Sequence, residues 1–140
     1  MMPAIQHHSL PRVLIIEDHP FLQKIHEHCL TKIGFETVIA SDAETAMALW
    51  EEQWDLIFSD IGLPDMNGND LCKKRRTYEA QLGIHTPSFA YTAYGDTMRD
   101  ECLAAGFDEF GVKPMRNEEL YAALQKLLPN FELYDFKDTK

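Results

Sequence analysis

Residues 56–68 of this sequence read Leu-Ile-Phe-Ser-Asp-Ile-Gly-Leu-Pro-Asp-Met-Asn-Gly, an apolar run that ends in an acid and then turns. An apolar run without alternating polar residues is typical of a strand that is covered on both faces, as in a parallel sheet. The glycines, the proline and the asparagine after it are turn-forming residues. The stretch therefore predicts a central strand with Asp60 at its carboxyl end, followed by a loop.

The same unit, a short apolar run followed by a helical pattern, recurs along the chain. Residues 13–16 form an apolar run that ends at Glu17 and Asp18, and Pro20 suits the first turn of a helix that Gly34 closes. Further strands are predicted at 37–40, 88–92 and 110–113. Five strands alternating with helices predict an α/β fold with a doubly wound parallel sheet, because each crossover must be right-handed and cover the sheet.

Length and composition favour a single folded domain. The chain has 140 residues, of which 45% are hydrophobic, which is enough for one core. We predict a leader or linker at 1–11, the domain at 12–129 and a C-terminal tail without a clear pattern at 130–140. The basic run at 73–76 is interpreted as a solvated helix face.

Charge and cysteine content limit the partners and the compartment. A formal net charge of −10 argues against direct binding to nucleic acid and against contact with an anionic membrane surface. No apolar run approaches the ~18 residues that a membrane span needs. The three cysteines show neither a disulfide framework nor zinc-site spacing, which suits a reducing cytoplasm.

Polar residues follow several of the predicted strands, where parallel folds of this class bind their ligands. They are Glu17, Asp18, Asp60, Thr92 and Lys113. Carboxylates that converge at one edge repel each other unless a cation lies among them, and Mg²⁺, or Mn²⁺ in its place, prefers such oxygen ligands. Asp60 is also the best candidate nucleophile toward phosphorus, with Lys113 and Thr92 available to hold the remaining phosphoryl oxygens.

In this order and spacing, these residues resemble the response-regulator receiver domains of two-component systems. The matching pieces are Ile16-Glu17-Asp18, residues 59–68, Tyr91-Thr92-Ala93 and Val112-Lys113-Pro114. The resemblance implies a flavodoxin-like (βα)5 fold with a five-stranded parallel sheet of order 2-1-3-4-5. It also implies a phosphorelay switch, in which a phosphohistidine of a sensor histidine kinase or histidine phosphotransfer domain donates to Asp60.

The resemblance also assigns individual roles. Glu17, Asp18 and Asp60 would form the metal site, to which Gly62 would add its backbone carbonyl. Phosphorylation would draw in the Thr92 hydroxyl and rotate Phe110 inward behind it, and the peptide before Pro114 would be cis. From its position alone, we expect Tyr94 to shield the acyl phosphate from water. The domain would promote its own phosphorylation and dephosphorylation rather than act as an enzyme on another substrate.

Other interpretations remain open at this point. An aspartyl-nucleophile phosphatase would need a second Asp where Gly62 stands, and a nucleotide or flavin binder would need a phosphate loop after the first strand. A pseudo-receiver that binds partners without chemistry is the remaining alternative. The segment 60–68 resembles the corresponding segment in the receivers of hybrid sensor histidine kinases. This resemblance favours an origin in such a kinase over a stand-alone regulator. His19, His26 and His28 are interpreted as surface histidines rather than a phosphohistidine carrier or metal pair.

Overall fold

The computed structural model describes residues 10–134, and within them five parallel strands form one sheet in the order β2-β1-β3-β4-β5. The strands are β1 (Arg12–Ile16), β2 (Glu36–Ala40), β3 (Leu56–Ser59), β4 (Ser88–Thr92) and β5 (Glu109–Val112). The helices are α1 (Pro20–Ile33), α2 (Ala43–Ala48), α3 (Gly68–Leu82), α4 (Arg99–Ala105) and α5 (Asn117–Leu127). The predicted fold class and strand order are confirmed. Most of the predicted leader and residues 135–140 lie outside the described residues.

The sheet is covered on both faces, as its apolar strands require. One cluster of buried residues joins β1, β3 and β4 to α1 and α5, and it is centred on Ile15, Phe58 and Phe89. Two further clusters cover the opposite face, one under α2 and one between α3 and α4. Because both faces are buried, the polar strand ends can be exposed only at the two edges where the strands begin and end.

The helix ends follow the sequence signals near the candidate site. Gly34 ends α1 in the left-handed conformation, with φ of 118°. Gly68 begins α3, and its backbone N–H donates to the Ile61 carbonyl at 2.6 Å. A Cβ at Gly68 would lie 2.5 Å from the Asp60 carbonyl oxygen, so only glycine allows α3 to start this close to the strand that carries Asp60.

The chain does not leave the domain at the end of α5. Leu133 is buried in the same cluster as α1 and α5, and the Tyr134 N–H donates to the Ile33 carbonyl at 2.8 Å. The Gln125 side chain holds the segment after α5 in place, because its amide donates to the Leu128 and Phe131 carbonyls and accepts from the Leu133 N–H. The domain limits stay a prediction, but residues 131–134 pack as part of the folded unit.

The interpretation of 73–76 as a solvated helix face is wrong for its second half. Arg75 is buried, and its guanidinium bonds the buried Glu79 carboxylate at 2.7 Å and the Thr86 hydroxyl at 2.9 Å. Arg76 also bonds Glu79, at 2.6 Å, and reaches Asp108 at 2.8 Å. Lys73 and Lys74 are exposed as expected. Glu79 lies one helical turn away, whereas Thr86 and Asp108 lie beyond α3, and together these partners hold the two arginines inward.

Candidate functional site

The candidate residues lie at the carboxyl edge of the sheet, where three neighbouring strand pairs continue their hydrogen bonding just past the strand ends. The N–H of Glu17 donates to Ala40, that of Asp60 to Ile16, and that of Lys113 to Thr92, each over 2.8–3.0 Å. The backbone of each residue is therefore held by the adjacent strand. As predicted from the sequence, the acids and the lysine meet at one edge.

Three carboxylates converge there. Glu17, Asp18 and Asp60 each offer an oxygen, and these oxygens lie within 4.8 Å of one another. Glu17 is buried, Asp60 is partly buried and Asp18 is exposed. Hard oxygen donors at this spacing, open to solvent on one side, suit a divalent cation that keeps some of its waters. The donor set therefore fits the metal site that the sequence predicted.

Lys113 lies between two of these acids. Its Nζ donates to Glu17 Oε1 at 2.9 Å and lies 3.4 Å from Asp60 Oδ2. The other oxygen of Asp60, Oδ1, accepts from the Ile61 N–H at 2.7 Å. The Asp60 carboxylate is thus oriented by the Ile61 N–H and by the ammonium group of Lys113. The peptide between Lys113 and Pro114 is cis.

The charge of Glu17 is fixed by its donors. Burial is the largest single influence and works to raise the pKa of Glu17, but the nearby His26 ring, the hydrogen bond and charge of Lys113 and the His19 N–H outweigh it. The pKa is lowered to about 2. Glu17 is therefore a carboxylate at neutral pH, although only 2% of its surface is exposed.

The loop after Asp60 brings Gly62 against Tyr94. A Cβ at Gly62 would lie 2.9 Å from the Tyr94 hydroxyl oxygen, so the absence of a side chain makes room for the tyrosine. The Tyr94 side chain is 62% exposed, so its predicted role as a shield of the acyl phosphate stays a prediction. Asp65 anchors the same loop, because its carboxylate accepts from the N–H groups of Ala43 and Glu44 at the start of α2. The sequence analysis did not assign this role to Asp65.

The two candidate switch residues are both buried. The Thr92 hydroxyl accepts from the Tyr94 N–H at 3.3 Å. Phe110 packs in the cluster between α3 and α4, with the Arg99 guanidinium carbon 5.3 Å from its ring centroid. Thr92 and Phe110 thus lie on adjacent strands, β4 and β5.

One of the histidines that the sequence analysis assigned to the surface lies next to the site. His19 and His28 are exposed, but His26 is only 7% exposed and its Nε2 lies 3.4 Å from Glu17 Oε1. Its spacing to Leu30 and Ile33, four and seven positions on, was the signal for an inward position. The sequence analysis missed this buried position because it treated histidine as a polar, surface residue.

Comparison with known proteins agrees with this geometry. A family model described as the response regulator receiver domain matches residues 13–125. The chain belongs to the response regulator receiver domain family. The solved receiver domain (CheY-like) of Methanospirillum hungatei is 28% identical, with a TM-score of 0.76, and the match covers 87% of this chain and 96% of that one. CheY4 of Vibrio cholerae has a TM-score of 0.74 at 27% identity, covering 85% of this chain and 99% of that one.

The receiver domain also matches parts of longer proteins. It is 31% identical over 127 residues to an uncharacterised transcriptional regulatory protein, YrkP, of Bacillus subtilis, covering 90% of this chain and 53% of that protein. It is 33% identical over 122 residues to hybrid signal transduction histidine kinase I of Dictyostelium discoideum, covering 81% of this chain and 7% of that protein. The chain therefore spans about half or less of these relatives' length.

Among the residues described, no helix has both the length and the apolar character needed to cross a bilayer.

Proposed function

We propose that this receiver domain is a phosphorylation switch whose phosphoacceptor is Asp60. The observation that carries the proposal is the position of the Asp60 carboxylate, next to two other acids and with Lys113 Nζ 3.4 Å from its Oδ2. A nucleophilic carboxylate needs positive groups nearby to receive the charge of the transferred phosphoryl oxygens. Lys113 supplies one of them.

The phosphoryl donor is a phosphohistidine of a sensor histidine kinase or of a histidine phosphotransfer domain. An oxygen of Asp60 attacks the phosphorus, the P–O bond to Asp60 forms, and the P–N bond to the donor imidazole breaks. The leaving imidazole takes up a proton. The negative surface implied by the net charge of −10 would favour a donor with basic groups around its histidine.

Glu17, Asp18, Asp60 and the Gly62 carbonyl would hold Mg²⁺, or Mn²⁺ in its place. The ion would neutralise the charge of the transferred oxygens. The chain's own contribution is to orient Asp60 through the Ile61 N–H and to hold Lys113 beside it.

Phosphorylation would be read out through Thr92 and Phe110. In this proposal the Thr92 hydroxyl gives up its contact with the Tyr94 N–H and donates to a phosphoryl oxygen. This shifts the conformational equilibrium of the face formed by the last helix, α5, and the two strands before it, β4 and β5. Phe110 would rotate inward behind the Thr92 side chain, which would change its packing against Arg99. The domain acts on its own aspartate and on no separate substrate. It is proposed to act in the cytoplasm, where its three free cysteines would stay reduced.

The test is the intact mass after incubation with acetyl phosphate and Mg²⁺, for wild type and for Asp60→Asn. The expected result is a gain of one phosphoryl group in wild type that is lost in Asp60→Asn and without Mg²⁺. A gain in both proteins would mean that another residue is the acceptor. A wild type that gains no phosphoryl group from acetyl phosphate or from a phosphorylated histidine phosphotransfer domain would support the pseudo-receiver alternative.

A further inference from the structure

His26 places an imidazole inside the apolar core of the domain. It is one of the buried residues of α1, together with Leu30 and Ile33. Its ring lies against Phe58, at 5.5 Å between centroids, and against Tyr91, at 5.4 Å. A leucine or valine would fill such a slot without a polar atom to satisfy.

The Nε2 atom of His26 is buried, and within residues 10–134 it forms no hydrogen bond of good geometry. Its nearest acceptor is Oε1 of Glu17, at 3.4 Å. A buried N–H without a partner is unfavourable, so a small adjustment of either side chain toward the other is favoured. Among the described residues, Oε1 of Glu17 is therefore the acceptor that such an adjustment would bring to Nε2.

Oε1 of Glu17 is also the acceptor for Lys113, at 2.9 Å, while Oε2 accepts from the His19 N–H at 3.2 Å. The contact of Lys113 with Glu17 is shorter than its contact with Asp60, at 3.4 Å. The position of the lysine is thus set mainly by Glu17. A movement of Oε1 would move Nζ away from the phosphoacceptor.

We propose that His26 is a positioning residue of the phosphoacceptor site: its Nε2–H holds Oε1 of Glu17 against Lys113, which keeps the lysine directed at Asp60 and preserves the shape of the acidic cluster. This inference rests on the proposed function. His26 contacts neither the phosphoryl group nor the cation, and it acts through Glu17. Loss of the imidazole leaves the buried carboxylate with fewer donors and a less organised cluster.

Binding of Mn²⁺, followed by the electron paramagnetic resonance signal of the free ion, tests this without any phosphoryl donor. We expect His26→Leu to bind Mn²⁺ about 10-fold more weakly than wild type, the lower end of the usual effect of removing a group that supports a metal ligand. His26→Gln places an amide N–H near the position of Nε2 and should regain most of the affinity. His26→Asn carries the same amide on a shorter side chain and should bind as weakly as His26→Leu.

Ile33→Val is the matched control, because it removes a methylene from the same buried face of α1. It should leave the Mn²⁺ affinity unchanged even if it lowers stability. If His26→Leu does not fold, the comparison of His26→Gln with His26→Asn still tests the proposal. Both variants carry the same amide group and differ only in the length of the side chain that carries it. Equal Mn²⁺ affinity in wild type, His26→Gln and His26→Asn would overturn the proposal.

Acetyl phosphate labelling of the same variants separates this inference from the proposed function. If wild type binds Mn²⁺ and gains a phosphoryl group while the His26 variants match it in both, only the role of His26 fails. If wild type neither binds Mn²⁺ nor gains a phosphoryl group, the proposed function fails and the role of His26 fails with it. A slower labelling rate in His26→Asn than in His26→Gln, in proportion to their Mn²⁺ affinities, is the supporting result.

Discussion

Lys113 lies closer to Glu17 than to Asp60, with Nζ 2.9 Å from Glu17 Oε1 and 3.4 Å from Asp60 Oδ2. The lysine therefore neutralises a buried acid while remaining within reach of the candidate phosphoacceptor. Its removal should affect both residues. This relationship connects the chemistry of the site to the stability of the domain.

Replacing Lys113 by Met should slow phosphorylation of Asp60 by acetyl phosphate roughly 100-fold, the usual effect of removing one donor to the developing charge. Lys113→Arg should not restore the rate, because a planar guanidinium cannot occupy the position of a compact ammonium between two acids. The rate of mass gain under saturating Mg²⁺ measures this. Labelling of Lys113→Met at the wild-type rate would contradict the role given to the lysine.

Tyr94 should prolong the life of the phosphorylated state. Its hydroxyl lies beside Gly62, two residues after Asp60, so if the ring shields the acyl phosphate, Tyr94→Ala should admit water and shorten the lifetime of the acyl phosphate. Tyr94→Phe retains the ring and is the control. The decay of the phosphorylated mass after removal of the donor measures the lifetime, and an unchanged lifetime in Tyr94→Ala would refute the shielding.

Gly68→Ala should destabilise the domain by about 2 kcal/mol, as overpacking against fixed atoms does. The new Cβ would meet backbone atoms of Asp60 and Ile61. Gly62→Ala is the matched comparison and should cost less, because its closest contact is the hydroxyl of the exposed Tyr94. Urea unfolding of both variants checks the order. Equal losses would show that the start of α3 can shift to accommodate a side chain.

Glu79→Gln should lower the free energy of unfolding by about 2 kcal/mol near neutral pH, because charged hydrogen bonds with Arg75 and Arg76 are lost. Burial works to raise the pKa of Glu79, but these arginines and the Thr86 N–H lower it below 4.5. A depressed pKa stabilises the fold above the unfolded value, and this contribution is lost as pH falls through the folded value. The difference between the two proteins should therefore narrow below pH 4.5.

Urea unfolding at several pH values, with the exposed Glu118→Gln as control, measures this effect. The control should follow wild type across the range. A constant difference between Glu79→Gln and wild type from neutral to acidic pH would mean that the stabilisation does not come from the charge of Glu79.

Leu133→Ala should destabilise the domain by about 2–3 kcal/mol, as removal of a buried leucine side chain does. Leu133 belongs to the core cluster of α1 and α5, although the sequence analysis placed it in the tail. Tyr134→Ala removes an exposed side chain from the next position and should cost less. Thermal unfolding of both proteins tests whether the fold extends past residue 129, and equal, small losses would support the predicted limit.

Much of the fold was predictable because its signals are local. Apolar runs such as 13–16 and 56–59 predict buried strands, and Gly34 and Gly106 end helices where the chain needs a positive φ. The carboxyl ends of parallel strands meet at one edge of the sheet. The sequence alone therefore predicted that Glu17, Asp60, Thr92 and Lys113 lie close together. The acidic cluster of Glu17, Asp18 and Asp60, which could hold a metal ion, was predictable from the carboxylates at the strand ends.

The sequence alone established the order of strands and helices and the group of acids, threonine and lysine at their ends. The tertiary structure decided which polar side chains turn inward, His26 toward Glu17 and Arg75 toward Thr86, and it decided that the chain returns at Leu133 onto α1 and α5. Hydrophobic periodicity predicts that polar residues face the solvent. It cannot identify a hydrogen-bond partner that lies far away in the sequence. A polar group is stable in the core only when another element supplies its donor or acceptor, and packing brings that element to it.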